Sequence, residues 1–470
     1  MHTHRPWIEE ETMRGLSRSS SHVVVGAIFA ALIVTPLFGS KAGAADLEAE
    51  LDSILEEVFA PDHVPGAAVA VVRGEEVVYT RGFGTADVES ERPVTPETVF
   101  YIASSTKPFL GLAARILHER GTIDLNESLK EYLPDVRLAE PLDPTAITLL
   151  DLLTHTHGIE NDGPVTFRTA YTGEFTPALL IRLLEEHGPA EKGREFEYGN
   201  LGYNVASLAL DANLDENWKE VLRSEIFEPL GMASTTANVS EVPRARLAMP
   251  HGAEPDGFRR LPYGKEDANM HAAGGLVSTV TDLARWLEVN INDGRIDGRR
   301  VFAPSAIRAT HRELVEQDSR FIGVHRSGYG MGWAIGSYDD DVLLQGFGGY
   351  TGFHSHVSFM PEHDVGIVML VNAGRLGAFL ADIGSRAVYD RLLEKPESDS
   401  TWVAERTRLK EQMARFRGMI REDRDRRAAR SQELPRPLGD YAGTYENPLL
   451  GTMTWSVADG KLAVRMGVQR

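Results

Sequence analysis

The 470-residue chain has no cysteine. That excludes disulfides, a thiolate nucleophile and any cysteine-ligated metal. Basic charge is also in short supply: 49 lysines and arginines stand against 69 aspartates and glutamates, a net charge of −20. Nucleic-acid binding needs a basic footprint, so a nucleic-acid partner is excluded. What remains is ordinary for a globular protein, with 42% hydrophobic and 25% charged residues. The length suits one large domain, or a main domain with an appendage, and can bury a sizeable core.

Long apolar runs are rare, and one near the start stands out. Arg14 and Arg18 precede "VVVGAIFAALIVTPLFG", Val23 to Gly39, and small residues follow at Ala42 and Ala44. Charge, apolar stretch and A-x-A site read as a secretory signal over residues 1–44, cleaved after Ala44. The expectation is an exported protein, periplasmic or extracellular. The alternative is an uncleaved membrane anchor, although the run is short for a span and contains Gly26 and Pro36. Three glutamates in residues 1–12 do not suit a signal's start, which leaves Met13 as a second candidate initiator.

Residues 45–400 read as the main domain. Leu47, Leu51, Ile54, Leu55 and Val58 have helical spacing, and two β-rich runs flank Arg73-Gly74 as a hairpin. Phe109, Leu112, Ala113, Ile116 and Leu117 form one buried helical stripe. Residues 120–290 are mainly helical, and strands return at "YGMGWAIGSY", "VLLQGFGG", "HSHVSFM" and "VGIVMLVN". Strands, helices, then strands predict that the early and late strands share one sheet. Residues 401–434 read as a charged exposed helix or linker. Residues 435–470 carry three short β-like runs that either dock on the main domain or begin a domain cut short.

The chemistry centres on "YIASSTKPF", residues 101–109. Ser104 and Lys107 are three positions apart and share a helix face, about 5–6 Å apart at Cβ. A serine at a helix start sits where backbone N–H groups favour negative charge. A lysine in a poorly solvated site loses its charge readily and can take the serine's proton. The bland reading is a helix cap beside a snorkelling lysine, and S-x-x-K alone is common by chance.

Its company is more specific. "ITLLDLLTHTHGI", "FEYGNLGYN", "IFEPLGMASTT", "HAAGGLVSTVTDLARWL" and "GFGGYTGFHSHVSFMPE" follow in that order. With them the chain, over about residues 50–395, resembles the serine β-lactamase and penicillin-binding superfamily, nearest its class C-like branch of carboxylesterases and D-aminopeptidases. The resemblance implies an α/β fold of the α+β type: an antiparallel sheet flanked by helices, a mostly helical subdomain, and a site at their junction. It implies an acyl-serine hydrolase of ester, amide or peptide-like small molecules, with no cofactor. Ser104 would be the nucleophile, Lys107 its activating partner and Tyr198 the proton relay. Asn200 would bond Lys107 and the substrate, unless it merely caps the next helix. The oxyanion site would use backbone N–H groups of Ser104 and Gly349, with Gly348 beside it.

The third motif departs from the family, which has lysine or histidine, any residue, then glycine. Here Gly346 or Phe347 takes the basic position, depending on register. Loss of that cation favours ester or uncharged amide substrates over β-lactams. A non-hydrolytic or slowly acylating protein that recognises peptidoglycan-type ligands is the rival reading. A second rival is a metal hydrolase built on the pairs His155/His157 and His354/His356, since alternate strand residues share a face. One of His354 and His356 could instead replace the missing cation. Substrate identity and oligomeric state are left open.

Overall fold

A computed structural model describes residues 41–160, 163–321, 324–431 and 433–469. Most of the signal segment, residues 1–40, lies outside the described residues. No described helix is long and apolar enough to cross a membrane.

Early and late strands do share one sheet. Its nine strands run antiparallel in the order Val315–Phe321, Val324–Tyr329, Ala334–Tyr338, Asp341–Tyr350, Phe353–Met360, Val365–Val371, Gly66–Arg73, Glu76–Asp87 and Arg92–Pro93. The Gly66–Arg73 strand is central and buried on both faces. Successive side chains alternate between two cores. Ala68, Ala70 and Val72 join the core under the helical insertion, while Ala67, Val69 and Val71 join the core under the terminal helices. A strand flanked on both sides needs no polar face, so its sequence is a continuous apolar run.

The helices Lys41–Val58 and Arg375–Leu392 pack together over one face of the sheet. The other face carries Val280–Ile291, whose neighbour in the core is the helix Lys107–Glu119: Trp286 stacks on Phe109 at 4.1 Å between ring centroids. The first two strands of the sheet, Val315–Phe321 and Val324–Tyr329, carry no sequence signal. They are an edge pair rich in Glu, Gln, Asp, Ser and Arg, residues with little β-preference.

Residues Ser398–Ala428 form one long helix, largely exposed but seated through buried Leu409 and Met413. The last residues form a three-stranded sheet, Gly443–Asn447, Gly451–Ala458 and Lys461–Met466. This sheet docks on the main domain rather than standing apart. Arg168 Nη2 donates to the Pro448 carbonyl at 2.9 Å, and Gln469 Nε2 donates to the carbonyls of Tyr171 and Gly264 at 2.9 and 3.0 Å.

Candidate active site

Ser104 lies in a 3₁₀ turn, Ala103–Thr106, which runs into the helix Lys107–Glu119. The α-helix therefore starts three residues later than a serine at its first position requires. The spacing still brings the two side chains together. Ala103, just before Ser104, has φ +45°, a left-handed conformation that costs a non-glycine residue energy. Neighbouring groups hold it there. Thr106 Oγ1 donates to the Ala103 carbonyl at 2.7 Å and accepts from Leu276 N–H at 3.2 Å, and Ile102 N–H bonds to the Leu276 carbonyl.

Ser104 is partly accessible and faces a cleft of about 1720 Å³. Ser105 is buried, its Oγ 3.0 Å from the Gly346 carbonyl and 2.8 Å from Ser355 Oγ. The two adjacent serines thus have separate positions. One opens on the cleft and the other ties the turn to the sheet.

Lys107 is 1% exposed. Its Nζ lies 3.0 Å from Ser104 Oγ, 3.0 Å from Asn200 Oδ1 and 2.8 Å from the Ala273 carbonyl. Burial holds its pKa below the usual lysine value, and the nearby Tyr198 hydroxyl pulls part of the way back. The partners differ in kind. The asparagine and backbone oxygens can only accept, whereas Ser104 can also donate. A neutral amine would keep two N–H groups on those oxygens and turn its lone pair to the serine hydroxyl.

Asn200 immediately precedes the helix Leu201–Asn213 but makes no side-chain cap; its amide oxygen faces Lys107 instead. The Ala273 carbonyl is fixed from behind, because Asn204 Oδ1 accepts from Ala273 N–H at 3.3 Å. Sequence reasoning passed over Asn204 and Ala273. No residue-type signal marks a backbone carbonyl as a ligand.

Tyr198 is half-exposed and its ring lies 4.9 Å from Lys107 Nζ. Behind it sits His155, 4.7 Å away between ring centroids. His155 Nδ1 accepts from Gly199 N–H, which leaves Nε2–H to donate to Tyr329 Oη at 3.2 Å. Burial pushes its pKa well below the normal histidine value, so it is neutral packing for the tyrosine.

The strand Asp341–Tyr350 forms the opposite wall. It is closed on both sides by two-residue hairpins, Tyr338 with Asp341 and Tyr350 with Phe353. Antiparallel pairing alternates, so residues 341, 343 and 345 turn their peptide groups to one neighbour and 346, 348 and 350 to the other. The first neighbour ends at Ala334, opposite Gln345. Beyond that point the peptide groups of Phe347 and Gly349 face an open edge lined by the cleft. Gly349 therefore has a backbone N–H for the site. Gly348 has another role: a Cβ there would collide with the Ile102 carbonyl and Ser355 Oγ.

The histidine readings require correction. His354 and His356 are buried on the face opposite Ser355, and burial pushes both down to about 3. Both are neutral near pH 7, so neither supplies the missing cation. His356 Nε2 bonds to Ser358 Oγ at 2.7 Å and packs 4.9 Å from the Phe347 ring. His157 Nδ1 accepts from Ile159 N–H. Among the described residues, no group of three His, Asp or Glu is placed to hold a metal. A cation on this wall is Arg326, whose guanidinium lies 4.6 Å from the Phe347 ring centroid. It comes from a strand without a sequence signal, so motif spacing does not find it.

The chain belongs to the Beta-lactamase family, whose model matches residues 51–388. It is similar to protein flp of Staphylococcus aureus, 26% identical over 334 residues, which is 70% of this chain and 63% of that protein. It therefore spans less than two thirds of those curated relatives. It is also similar to unguisins hydrolase ungD' of Aspergillus campestris, 23% identical over 87% of this chain and 77% of the relative. Among solved structures, D-amino acid amidase from Ochrobactrum anthropi SV3 has a TM-score of 0.61 and 25% identity, over 74% of this chain and 98% of that one. The octameric penicillin-binding protein homologue from Pyrococcus abyssi shares the fold, with a TM-score of 0.62 and 24% identity over 89% and 87%.

Proposed function

We propose that this member of the Beta-lactamase family cleaves small-molecule amides or esters through an acyl-serine intermediate formed on Ser104. The carrying observation is the partner set of Lys107: a desolvated amine with two acceptor-only oxygens and one hydroxyl at 3.0 Å. Neutral Lys107 accepts the Ser104 proton as Oγ bonds to the substrate carbonyl carbon. Backbone N–H groups of Ser104 and Gly349 receive the developing oxyanion. Tyr198, open to the cleft and beside Lys107, passes the proton to the leaving nitrogen or oxygen as its bond to carbon breaks. Water then repeats the sequence on the acyl-enzyme and restores Ser104. Asn200 orients Lys107 throughout.

The amidase and hydrolase relatives favour amides and esters, as does the absence of a lysine or histidine at Gly346 and Phe347. The altered motif also supports a second reading, a slowly acylating protein that recognises peptidoglycan-type ligands. We propose export on the sequence of residues 1–44 alone. The test is turnover of acyl esters, D-amino-acid amides, D-Ala-D-Ala peptides and a chromogenic cephalosporin by the parent and Ser104→Ala. Ser104-dependent turnover of esters or amides supports hydrolysis. Stoichiometric labelling without turnover supports the second reading.

A further inference from the structure

The cleft extends well past the catalytic turn, and part of its wall comes from outside the family match. That match ends at residue 388, whereas the helix Ser398–Ala428 begins later. Leu409, Met413 and Phe416 recur at i, i+4 and i+7, so they share one face of this helix. Leu409 and Met413 are buried in the core under the terminal helices. Phe416 is half-buried and lines the cleft that Ser104 opens into. Phe258, Leu261 and Leu376 line it too, from a hairpin, a loop and another helix, and each keeps accessible surface.

The helix is held against that hairpin. The Arg417 guanidinium lies 5.6 Å from the Phe258 ring centroid, and its Nη1 donates to the carbonyls of Glu254 and Pro255 at 3.3 Å. The cluster contains no acid, base or nucleophile, so it has no part in the chemistry. Its side chains are apolar, partly solvated and continuous with the site, the properties of a binding wall.

We propose that Phe416, with Phe258, Leu261 and Leu376, forms an apolar subsite that selects substrates with an extended acyl chain. This rests on the ester and amide hydrolysis proposed above. It deepens that reading by naming the group recognised and by giving the C-terminal helix a part in specificity. A methylene buried here counts toward kcat/KM, and one that remains in water does not.

The experiment compares p-nitrophenyl octanoate with p-nitrophenyl acetate on the full chain, and reads the ratio of kcat/KM values. Phe416→Ala should lower the octanoate-to-acetate ratio by roughly tenfold, the scale of one partly lost aromatic contact. Phe258→Ala, from the other wall, should lower it in the same direction and serves if Phe416→Ala melts early. Met419→Ala, on the exposed side of the same helix, should leave the ratio at the parental value. A parental ratio in both folded phenylalanine variants overturns the subsite and leaves the hydrolase reading in place. Absence of Ser104-dependent turnover of either ester or of any amide overturns the hydrolase reading, and the subsite falls with it.

Discussion

Asn200 allows a test with two opposite outcomes at one position. Its Oδ1 accepts from Lys107 Nζ at 3.0 Å. Asn200→Asp replaces that neutral acceptor with a carboxylate of the same shape. Two unit charges at such a distance attract by about 5.5 kcal/mol at an effective dielectric near 20. Desolvating the new carboxylate offsets most of this. An opposite charge this close raises a partner's pKa by about 1–3 units. The proposed proton acceptor is neutral Lys107, so activity rises with pH as Lys107 loses its proton. The acid limb of kcat/KM should therefore move about 1–3 units to higher pH in Asn200→Asp. On that limb the rate should fall by about 10- to 1000-fold at fixed pH. Asn200→Ala removes an acceptor that favours the ammonium, so its limb should move the other way. The measurement is a pH series of initial rates on one ester, with melting curves for folding. Two folded variants whose limbs coincide with the parent's, or move in the same direction, would refute Lys107 as the titrating acceptor.

Ser104→Ala should abolish fluorophosphonate labelling, whereas Ser105→Ala should retain it and lose about 1–2 kcal/mol of stability through its buried hydrogen bonds; an adduct mapped to Ser105 would reverse the assignment. Tyr198→Phe should cut turnover by about 10²–10⁴ with little change in melting temperature, and near-full turnover would make the tyrosine structural. Short acyl esters should outrun a chromogenic cephalosporin, because a carboxylate without a charge-assisted partner loses about 1.5–3 kcal/mol of binding; equal efficiency would point to Arg326 as its partner. Stability should hold above pH 6.5 and fall as pH drops from there, because His354 and His356 stay neutral in the fold to about pH 3 but protonate in the unfolded chain. Each contributes a slope of about 1.4 kcal/mol per pH unit in that window, opposed there by Glu288 and Asp211, whose burial raises them to about 7 and about 6; a folded His354→Gln, His356→Gln variant that keeps the parent's pH slope would contradict the histidines' burial.

Legibility followed the type of signal. Strands buried on both faces, such as Gly66–Arg73 and Val365–Val371, announce themselves as apolar runs. The helix after Ser104 shows its stripe, and i, i+3 spacing is enough to bring Ser104 to Lys107. The edge strands Val315–Phe321 and Val324–Tyr329 are polar because one edge and much of their surface meet water, so the strand that delivers Arg326 stayed hidden. The H-x-H pairs misled for a physical reason. Alternation puts His354 and His356 on one face, but that face is packed under a helix, where burial favours neutral rings over ligands. The turn at Ala103 was out of reach too, since alanine carries no mark of a positive φ.

The altered third motif and the retained hydrolytic parts are compatible because different atoms of one strand serve them. The oxyanion binding proposed above asks only for a backbone N–H at Gly349, and strand pairing aims that group into the cleft whatever the side chains at 346 and 347. Gly348 is constrained by the close approach of Ile102 and Ser355, which fixes the strand against the turn that carries Ser104. The Gly346 carbonyl accepts from Ser105 Oγ and a Cβ at 346 would press on Trp333 and Pro108, whereas Phe347 has neither duty. A lysine lost there removes a charge for recognising substrate and leaves backbone geometry intact. Phe347 instead presents a ring to Arg326 and His356 on the far face. Substitution at Phe347 should therefore redirect substrate choice and spare acylation. Disturbing Gly348, whose missing Cβ permits the approach, should disable acylation on every substrate alike.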